Sequence, residues 1–283
     1  MEKNLVCGGG GFLGSNLRKH LESKGKEVVV LPTEMLLDPP QMHLFLKDNE
    51  PYNLYYLAAY GNLHGQDDID ETYRAIIIKF LNLLKATKDT QANSIITAGT
   101  TSEYGNKTEP MREEMLLEPD TFYAAAKAGA THLAQVWAKR ENSPVVVFRP
   151  ASMTGVGEQD IHLIPTLIRS CLLKEPMPFV GEPVHDYINV LDVCSALERL
   201  SEVAMDNYGQ IFNIGSGVQT SNLIIKEMIE HITGRKANIN KAIKINPQNL
   251  SQVWIADSTK MKALGWKPKW TLFKTLKSMV RAI

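Results

Sequence analysis

Tyr123 and Lys127 close the run Tyr123-Ala124-Ala125-Ala126-Lys127, one helical turn apart. On a helix a phenol at i and an ammonium at i+4 share a face, so the cation is placed to stabilise a phenolate and draw the tyrosine's pKa toward neutrality. That would make Tyr123 a proton donor and acceptor. An isolated Tyr-x-x-x-Lys is an ordinary surface pair, and chain order is what gives this one meaning. Upstream, Ala98-Gly99-Thr100-Thr101-Ser102-Glu103-Tyr104-Gly105 follows the apolar pair Ile95-Ile96. This places hydroxyls at the carboxyl edge of a sheet, where open α/β sheets bind ligands. Thr100 is read as the hydroxyl that donates to a substrate carbonyl or alkoxide, because the apolar run ends near Ala98. Thr101 and Ser102 stand beside it as substrate contacts. The plain alternative is a hydroxyl-rich turn.

The second chemical feature is Gly8-Gly9-Gly10-Gly11-Phe12-Leu13-Gly14, which follows the apolar Asn4-Leu5-Val6-Cys7 and leads into a stretch of helical periodicity. Read as G-x-x-G-x-x-G, Gly8, Gly11 and Gly14 permit a tight turn, close backbone approach to phosphate and close helix–strand packing, with Phe12 and Leu13 opening the helix over the pyrophosphate. A glycine-rich turn without a ligand would look the same in isolation; its place between strand one and a helix favours a dinucleotide.

Elements that could position these groups alternate along the first half. Strands are expected near 3–7, 27–31, 53–57, 94–98 and 144–148, and helices near 12–24, 39–49, 70–88 and 122–141. This is the pattern of βαβ units and a parallel sheet. Beyond Arg149-Pro150 the chain is punctuated by Gly155, Gly157, Pro165, Pro176, Pro178, Gly181 and Pro183. Gln210–Gly215 reads as a returning strand, followed by helices near 220–233 and 271–282. The expectation is an α/β fold, a doubly wound parallel Rossmann sheet with a smaller C-terminal α/β part. Residues 1–156 and 186–217 are assigned to dinucleotide binding, and 157–185 and 218–283 to substrate binding.

The 283 residues carry a formal net charge of zero, with 44% hydrophobic content. No long basic run offers an electrostatic footprint for nucleic acid or an anionic membrane, so neither is an expected partner. Strand one leaves no room for a signal peptide, and no apolar stretch has the length of a membrane span; a cytoplasmic location is expected. Cys7, Cys171 and Cys194 have no metal-like spacing. They are read as small core residues, and no metal site is expected.

Other candidates carry two readings each. Pro32 occupies the place where an acid often meets the ribose hydroxyls; Thr33 or Glu34 could serve instead, or Glu34 is a solvated charge. No Arg or Lys lies between Lys26 and Lys47 to meet a 2′-phosphate, which leans the choice of NAD or NADP slightly toward NAD. Asp38 could reach the adenine amino group or cap a helix opening at Pro39-Pro40. Leu57-Ala58-Ala59 fits a backbone passing close to a flat cofactor, or small residues under a helix. His162 could bond a diphosphate or sugar hydroxyl, or cap a helix; His185, before Asp186, is similarly divided. Trp254, Trp266 and Trp270 are read as core.

With these residues in place, the chain resembles the extended short-chain dehydrogenase/reductase family, in its nucleotide-sugar epimerase, dehydratase and reductase branch. The family's glycine motif looks like Gly8, Gly11 and Gly14, and its Ser/Thr-Tyr-Lys triad looks like Thr100, Tyr123 and Lys127. Arg149-Pro150, Gly155-x-Gly157, Asn213–Gly217 and Leu264-Gly265-Trp266-x-Pro268 are similar to later landmarks. The resemblance implies that Tyr123 and Lys127 also touch the cofactor. It implies hydride transfer at C4 of a nucleotide-linked sugar, and a homodimer paired through the helices near 70–88 and 122–141. Its 4,6-dehydratases carry Asp-Glu where this chain has Thr101 and Ser102, and the GDP-fucose synthase kind has a cysteine at Ser102; both departures point away from those reactions. An arginine that holds the nucleotide diphosphate in many members is His185 here. The short link after strand two and the Ala98-Gly99-Thr100 turn look most like the small reductases of GDP- or CDP-linked 4-keto-6-deoxy sugars. The expectation is such a 4-ketoreductase, with an NAD-dependent 4-epimerase as alternative and a non-catalytic dinucleotide sensor as the rival of another class.

Overall fold

The computed structural model describes residues 2–61, 65–66, 68–243 and 251–283. The chain forms two compact units: Met1–Gly105, Glu113–Pro150 and Cys194–Asn213 make the first, and Asn106–Arg112, Ala151–Val193 and Ile214–Ile283 the second. The expected ranges differ from these units: 106–112, 151–156, 186–193 and 214–217 fall in the second unit and not with the first.

In the first unit β1 (Lys3–Cys7), β2 (Glu27–Leu31), β3 (Tyr52–Tyr56), β4 (Ala92–Ala98), β5 (Val145–Pro150) and β9 (Ile211–Ile214) form one sheet in the order β2-β1-β3-β4-β5-β9. β1 pairs in parallel with β2 and β3, β3 with β4, and β4 with β5. Every residue of β3 and of β5 is buried, as expected of parallel strands covered on both faces. The order changes direction between β1 and β3, the switch point outside whose carboxyl ends such sheets bind ligands.

The helices follow the sequence pattern. α1 (Phe12–Glu22) buries Leu13, Gly14, Leu17 and Leu21, one face of a helix. α2 (Pro39–Lys47) follows a short turn at Thr33–Leu37 and leads straight back to β3. The 20-residue α5 (Phe122–Glu141) buries Ala124, Ala126, Ala128, Ala130, Ala134 and Ala138, small side chains that let the helix axis lie close to the sheet. Thr121 caps it, accepting from the Ala124 amide at 3.1 Å.

The expected helix near 70–88 contains a departure. α3 (Ile69–Tyr73) and α4 (Lys79–Ala86) are joined by a π-helical turn, Arg74–Ile78. The wide turn moves the Lys79 amide from the Ala75 carbonyl to that of Arg74. Ala75 O then accepts the buried Tyr56 hydroxyl at 3.1 Å, while the Tyr56 ring stacks on Phe80 with centroids 5.1 Å apart. A buried phenol needs a partner, and one extra residue in the turn supplies it at the end of β3.

The second unit holds two small sheets. β8 (Val184–Asn189) lies between β6 (Ser152–Thr154) and β10 (Gln219–Ser221), and β7 (Met177–Phe179) pairs with β11 (Ile239–Ala242). α6 (Leu163–Leu172), α8 (Asn222–Thr233) and α10 (Leu272–Val280) pack Leu167, Ile168, Ile225, Ile229, Leu276 and Met279 into its core. α9 (Thr259–Ala263) completes its helices, while α7 (Val190–Glu202) belongs to the first unit from Cys194 onward. Asp192 fastens the Trp266 region, its carboxylate accepting from the Lys269 and Trp270 amides and its carbonyl from the Trp266 indole. Trp266 is core as expected; Trp254 and Trp270 are half-buried instead, Trp254 edge-on to His185 and Trp270 beneath the Lys274 ammonium. All three cysteines are free and buried. No described helix is long and apolar enough to cross a membrane.

Candidate active site

The glycine turn leaves β1 at Gly8 with φ +84°, and a Cβ there would stand 2.8 Å from the Ala58 nitrogen and 3.0 Å from the Leu57 carbonyl carbon. The turn and the segment after β3 therefore lie backbone to backbone, and only glycine allows it. A Cβ on Gly14 would overlap the Gly8 carbonyl oxygen, so α1 closes directly onto the turn. Gly11 is the N-cap, with no side-chain cap and no acid in the first turn. The amides of Phe12, Leu13 and Gly14 have no intrahelical partner at the positive end of the helix. A side-chain-free cradle at an uncapped helix start fits a pyrophosphate.

Beyond β4, Thr100 opens a 3-10 turn, Thr101–Tyr104. Thr100 and Glu103 form a capping box: Thr100 Oγ1 accepts from the Ser102 amide at 3.2 Å, and Glu103 Oε1 accepts from the Thr100 amide at 2.8 Å. Thr100 also donates to Ser102 Oγ at 3.4 Å, and both are half-buried. Thr101 faces the other way: it is buried and donates to the Pro150 carbonyl at 3.3 Å. The adjacent threonines are thus sorted, Thr100 and Ser102 to the accessible side and Thr101 to the interior.

The turn rests on a buried polar network that the sequence did not disclose, although Arg149 and Asn213 stood out there as landmarks of the resemblance. Glu103 Oε2 accepts from Arg149 Nε at 2.9 Å and from Thr131 Oγ1 at 2.9 Å. Arg149 Nη1 donates to the Tyr104 hydroxyl at 2.9 Å, which donates to Asn213 Oδ1 at 2.8 Å. The spacing Thr100-x-x-Glu103, a capping-box signature, was the signal that could have exposed it.

Tyr123 lies in the first turn of α5 and Lys127 one turn on, as their spacing requires. Lys127 Nζ stands 5.9 Å from the Tyr123 ring centroid and donates to the Ala98 carbonyl at 2.8 Å, joining α5 to the end of β4. The expected electrostatics are corrected here. Burial, with the Glu103 carboxylate acting in the same direction, raises the Tyr123 pKa above the ordinary phenol value. Lys127 moves the other way: burial lowers it to about 8, and Glu103 only partly offsets that. Burial, not the neighbouring lysine, sets the direction at the phenol.

Among the remaining candidates, Leu57, Ala58 and Ala59 follow β3 against the glycine turn. Thr33 and Glu34 are exposed in the turn that Pro32 caps. Asp38 caps α2, accepting from the Gln41 amide at 3.1 Å. In the second unit His162 is the N-cap residue of α6, yet its ring makes no capping bond; Nδ1 pairs with Glu158 at 3.1 Å. His185 packs edge-on between Tyr187 and Trp254, with Nδ1 3.4 Å from Ser152 Oγ, and burial lowers its pKa.

The chain is similar to known proteins along nearly its whole length. The GDP-6-deoxy-D-mannose reductase of Pseudomonas aeruginosa is 26% identical, the alignment covering 99% of this chain and 96% of the reductase. The UDP-glucose 4-epimerase of Lactobacillus helveticus is 25% identical over 94% of this chain and 92% of the epimerase. Among solved structures, that of MoeE5 in complex with UDP-glucose and NAD matches the fold with a TM-score of 0.88, at 24% identity over 99% of this chain and 98% of that one. Residues 4–215 match the NAD dependent epimerase/dehydratase family, and with its glycine cradle and its Thr-Tyr-Lys set the chain belongs to that family of enzymes.

Proposed function

We propose that the protein is a 4-ketoreductase of a nucleotide-linked 4-keto-6-deoxy sugar. A bound reduced nicotinamide supplies the hydride to C4. Tyr123 donates its proton to the C4 oxygen as negative charge develops there. Burial keeps the phenol protonated, so Tyr123 carries the proton that it gives up. Lys127, anchored on the Ala98 carbonyl, holds the nicotinamide ribose. Thr100 donates to the same C4 oxygen, a bond that strengthens toward the transition state. The first unit serves the dinucleotide through Gly8, Gly11, Phe12, Leu13, Gly14 and the Leu57–Ala59 segment, with Thr33 and Asp38 toward the adenosine end. The second unit serves the nucleotide sugar, with His162 and His185 as candidate contacts; Ser102 is the candidate substrate contact of the first unit.

One observation carries the choice of reaction. The carboxylate of the Thr100 turn, Glu103, is buried and bound to Arg149 and Thr131. It is not free to shuttle a proton, which supports plain hydride transfer over elimination of water. Family membership sets aside the non-catalytic sensor. The 4-epimerase remains the second reading, favoured by the Lactobacillus helveticus relative. The small molecules released from freshly purified, denatured protein separate the two. Stoichiometric NAD supports an epimerase that recycles its oxidant; an empty site supports the reductase, tested with added NADH or NADPH and a GDP-4-keto-6-deoxy sugar.

A homodimer is part of the same reading. Gly129 on α5 lies opposite Ile77, so the two long helices run side by side, and Tyr73, Ile78, Phe122 and Val136 stay exposed on them. A second copy covering this face would bury them. Val136→Glu would then yield a monomer in sedimentation; an unchanged mass would exclude this interface.

A further inference from the structure

Arg18 lies on α1 one turn beyond Gly14, and its side chain runs between the glycine turn and the end of β2. A Cβ on Gly9 would stand 3.1 Å from Arg18 Cδ and 3.2 Å from Val30 Cγ2, so three elements meet at one corner. Arg18 Nη1 is 3.5 Å from the Gly9 carbonyl oxygen, at the outer limit of a hydrogen bond. Its Nε is buried with no partner, and no carboxylate pairs with it among the described residues. A half-buried guanidinium with part of its donor set unused keeps donors available for an anion.

The surroundings say which anion. The corner is where the glycine turn faces the end of β2, the place of the adenosine ribose in a dinucleotide fold. An acid at Pro32 would bond the ribose hydroxyls and repel a phosphate, and this chain has none there. The segment after β2 holds no cation before Lys47; α1 brings one to the same corner.

We propose that Arg18 is a cofactor-specificity residue. Its guanidinium takes the 2′-phosphate of the adenosine ribose, so this chain binds NADP(H) at least as tightly as NAD(H). The planar fork of Arg suits a phosphate, and the buried stem holds it in place. The proposal rests on the dinucleotide reading above and adds to it which dinucleotide is held.

The test is the dissociation constant of NADPH and of NADH for the full chain, read from the reduced-nicotinamide fluorescence, in wild type, Arg18→Met and Arg18→Lys. Wild type should bind NADPH no more weakly than NADH. Arg18→Met should weaken NADPH by about 10- to 100-fold, the worth of charge-assisted hydrogen bonds, with a far smaller change for NADH, whose retained binding shows that the variant is folded. Arg18→Lys should recover part of the loss, and added salt should weaken NADPH more than NADH. A wild-type preference for NADH overturns the proposal. So does an equal loss of both dinucleotides in Arg18→Met, which would make Arg18 a brace for the glycine turn. Binding of neither to wild type overturns the dinucleotide reading itself.

Discussion

Arg149 Nε donates to Glu103 Oε2 at 2.9 Å with neither residue exposed, at 1% and 0%. Two charges removed from water at such depth gain little net stability from each other. Their surroundings show what the pair does: the same carboxylate holds the Thr100 amide and Thr131, and the same guanidinium holds Tyr104. The pair fixes the turn that carries Thr100. Glu103→Gln leaves a buried guanidinium without its counter-charge and should cost about 3–5 kcal/mol, read as a lower urea midpoint. Adding Arg149→Met should recover part of that loss, since the stranded charge is gone. Strictly additive losses would show that the two residues are not coupled.

Tyr123→Phe removes one hydroxyl from a ring whose packing it leaves in place. If Tyr123 is the proton donor, turnover should fall by roughly 10²- to 10⁴-fold while dinucleotide affinity changes less than about twofold. Stopped-flow reduction and a fluorescence titration measure the two separately. Parallel loss of both would place Tyr123 in cofactor binding and leave the acid unassigned.

Lys127 gives the reaction a pH dependence of defined sign. Burial lowers its pKa from 10.5 to about 8, so the folded chain gives up this proton earlier than the unfolded chain does. Its effect on stability is therefore unfavourable below about 8 and fades as pH rises toward 10.5, where both states are neutral. Cofactor affinity should run the opposite way, because the ammonium is the form that donates to ribose hydroxyls. The dinucleotide dissociation constant should rise as pH passes about 8 in wild type and stay level in Lys127→Arg. A level wild-type profile would remove Lys127 from the ribose.

What the sequence disclosed follows from range. The glycine spacing, the Tyr-x-x-x-Lys turn and the alternation of β1 to β5 with their helices are local patterns, and the structure places each within a few residues. The choice of Thr100 over Thr101 rested on where an apolar run stops, and it agrees with Thr101 turning inward. What escaped was set by contacts distant in sequence. Arg149 meets Glu103 from β5 and Tyr56 meets Ala75 at the π-helical turn; Arg18 is nearer in sequence, but it reaches Gly9 only because α1 folds back over the turn. The Tyr123 pKa failed for a different reason: spacing shows a neighbouring charge but not depth, and here depth decides.

Glu198 on α7 supplies the last prediction. Its side chain, 9% exposed, receives Lys26 at 2.9 Å, His20 at 2.8 Å and Lys24, all from the end of α1 and the approach to β2. Burial alone would raise its carboxyl, but the bonds from Lys24, His20 and Lys26 outweigh that and hold it at about 2, below the ordinary 4.5. A carboxyl whose pKa is depressed on folding contributes stability that is fully present above about 4.5 and is lost as pH falls through about 2. Glu198→Gln should therefore lower the melting temperature at neutral pH, by an amount worth roughly 1–3 kcal/mol. The variant should also lose less than wild type between pH 5 and about 2, so that the two stability curves converge in acid. Curves that stay parallel across that window would show that the three cations do not act through this carboxylate.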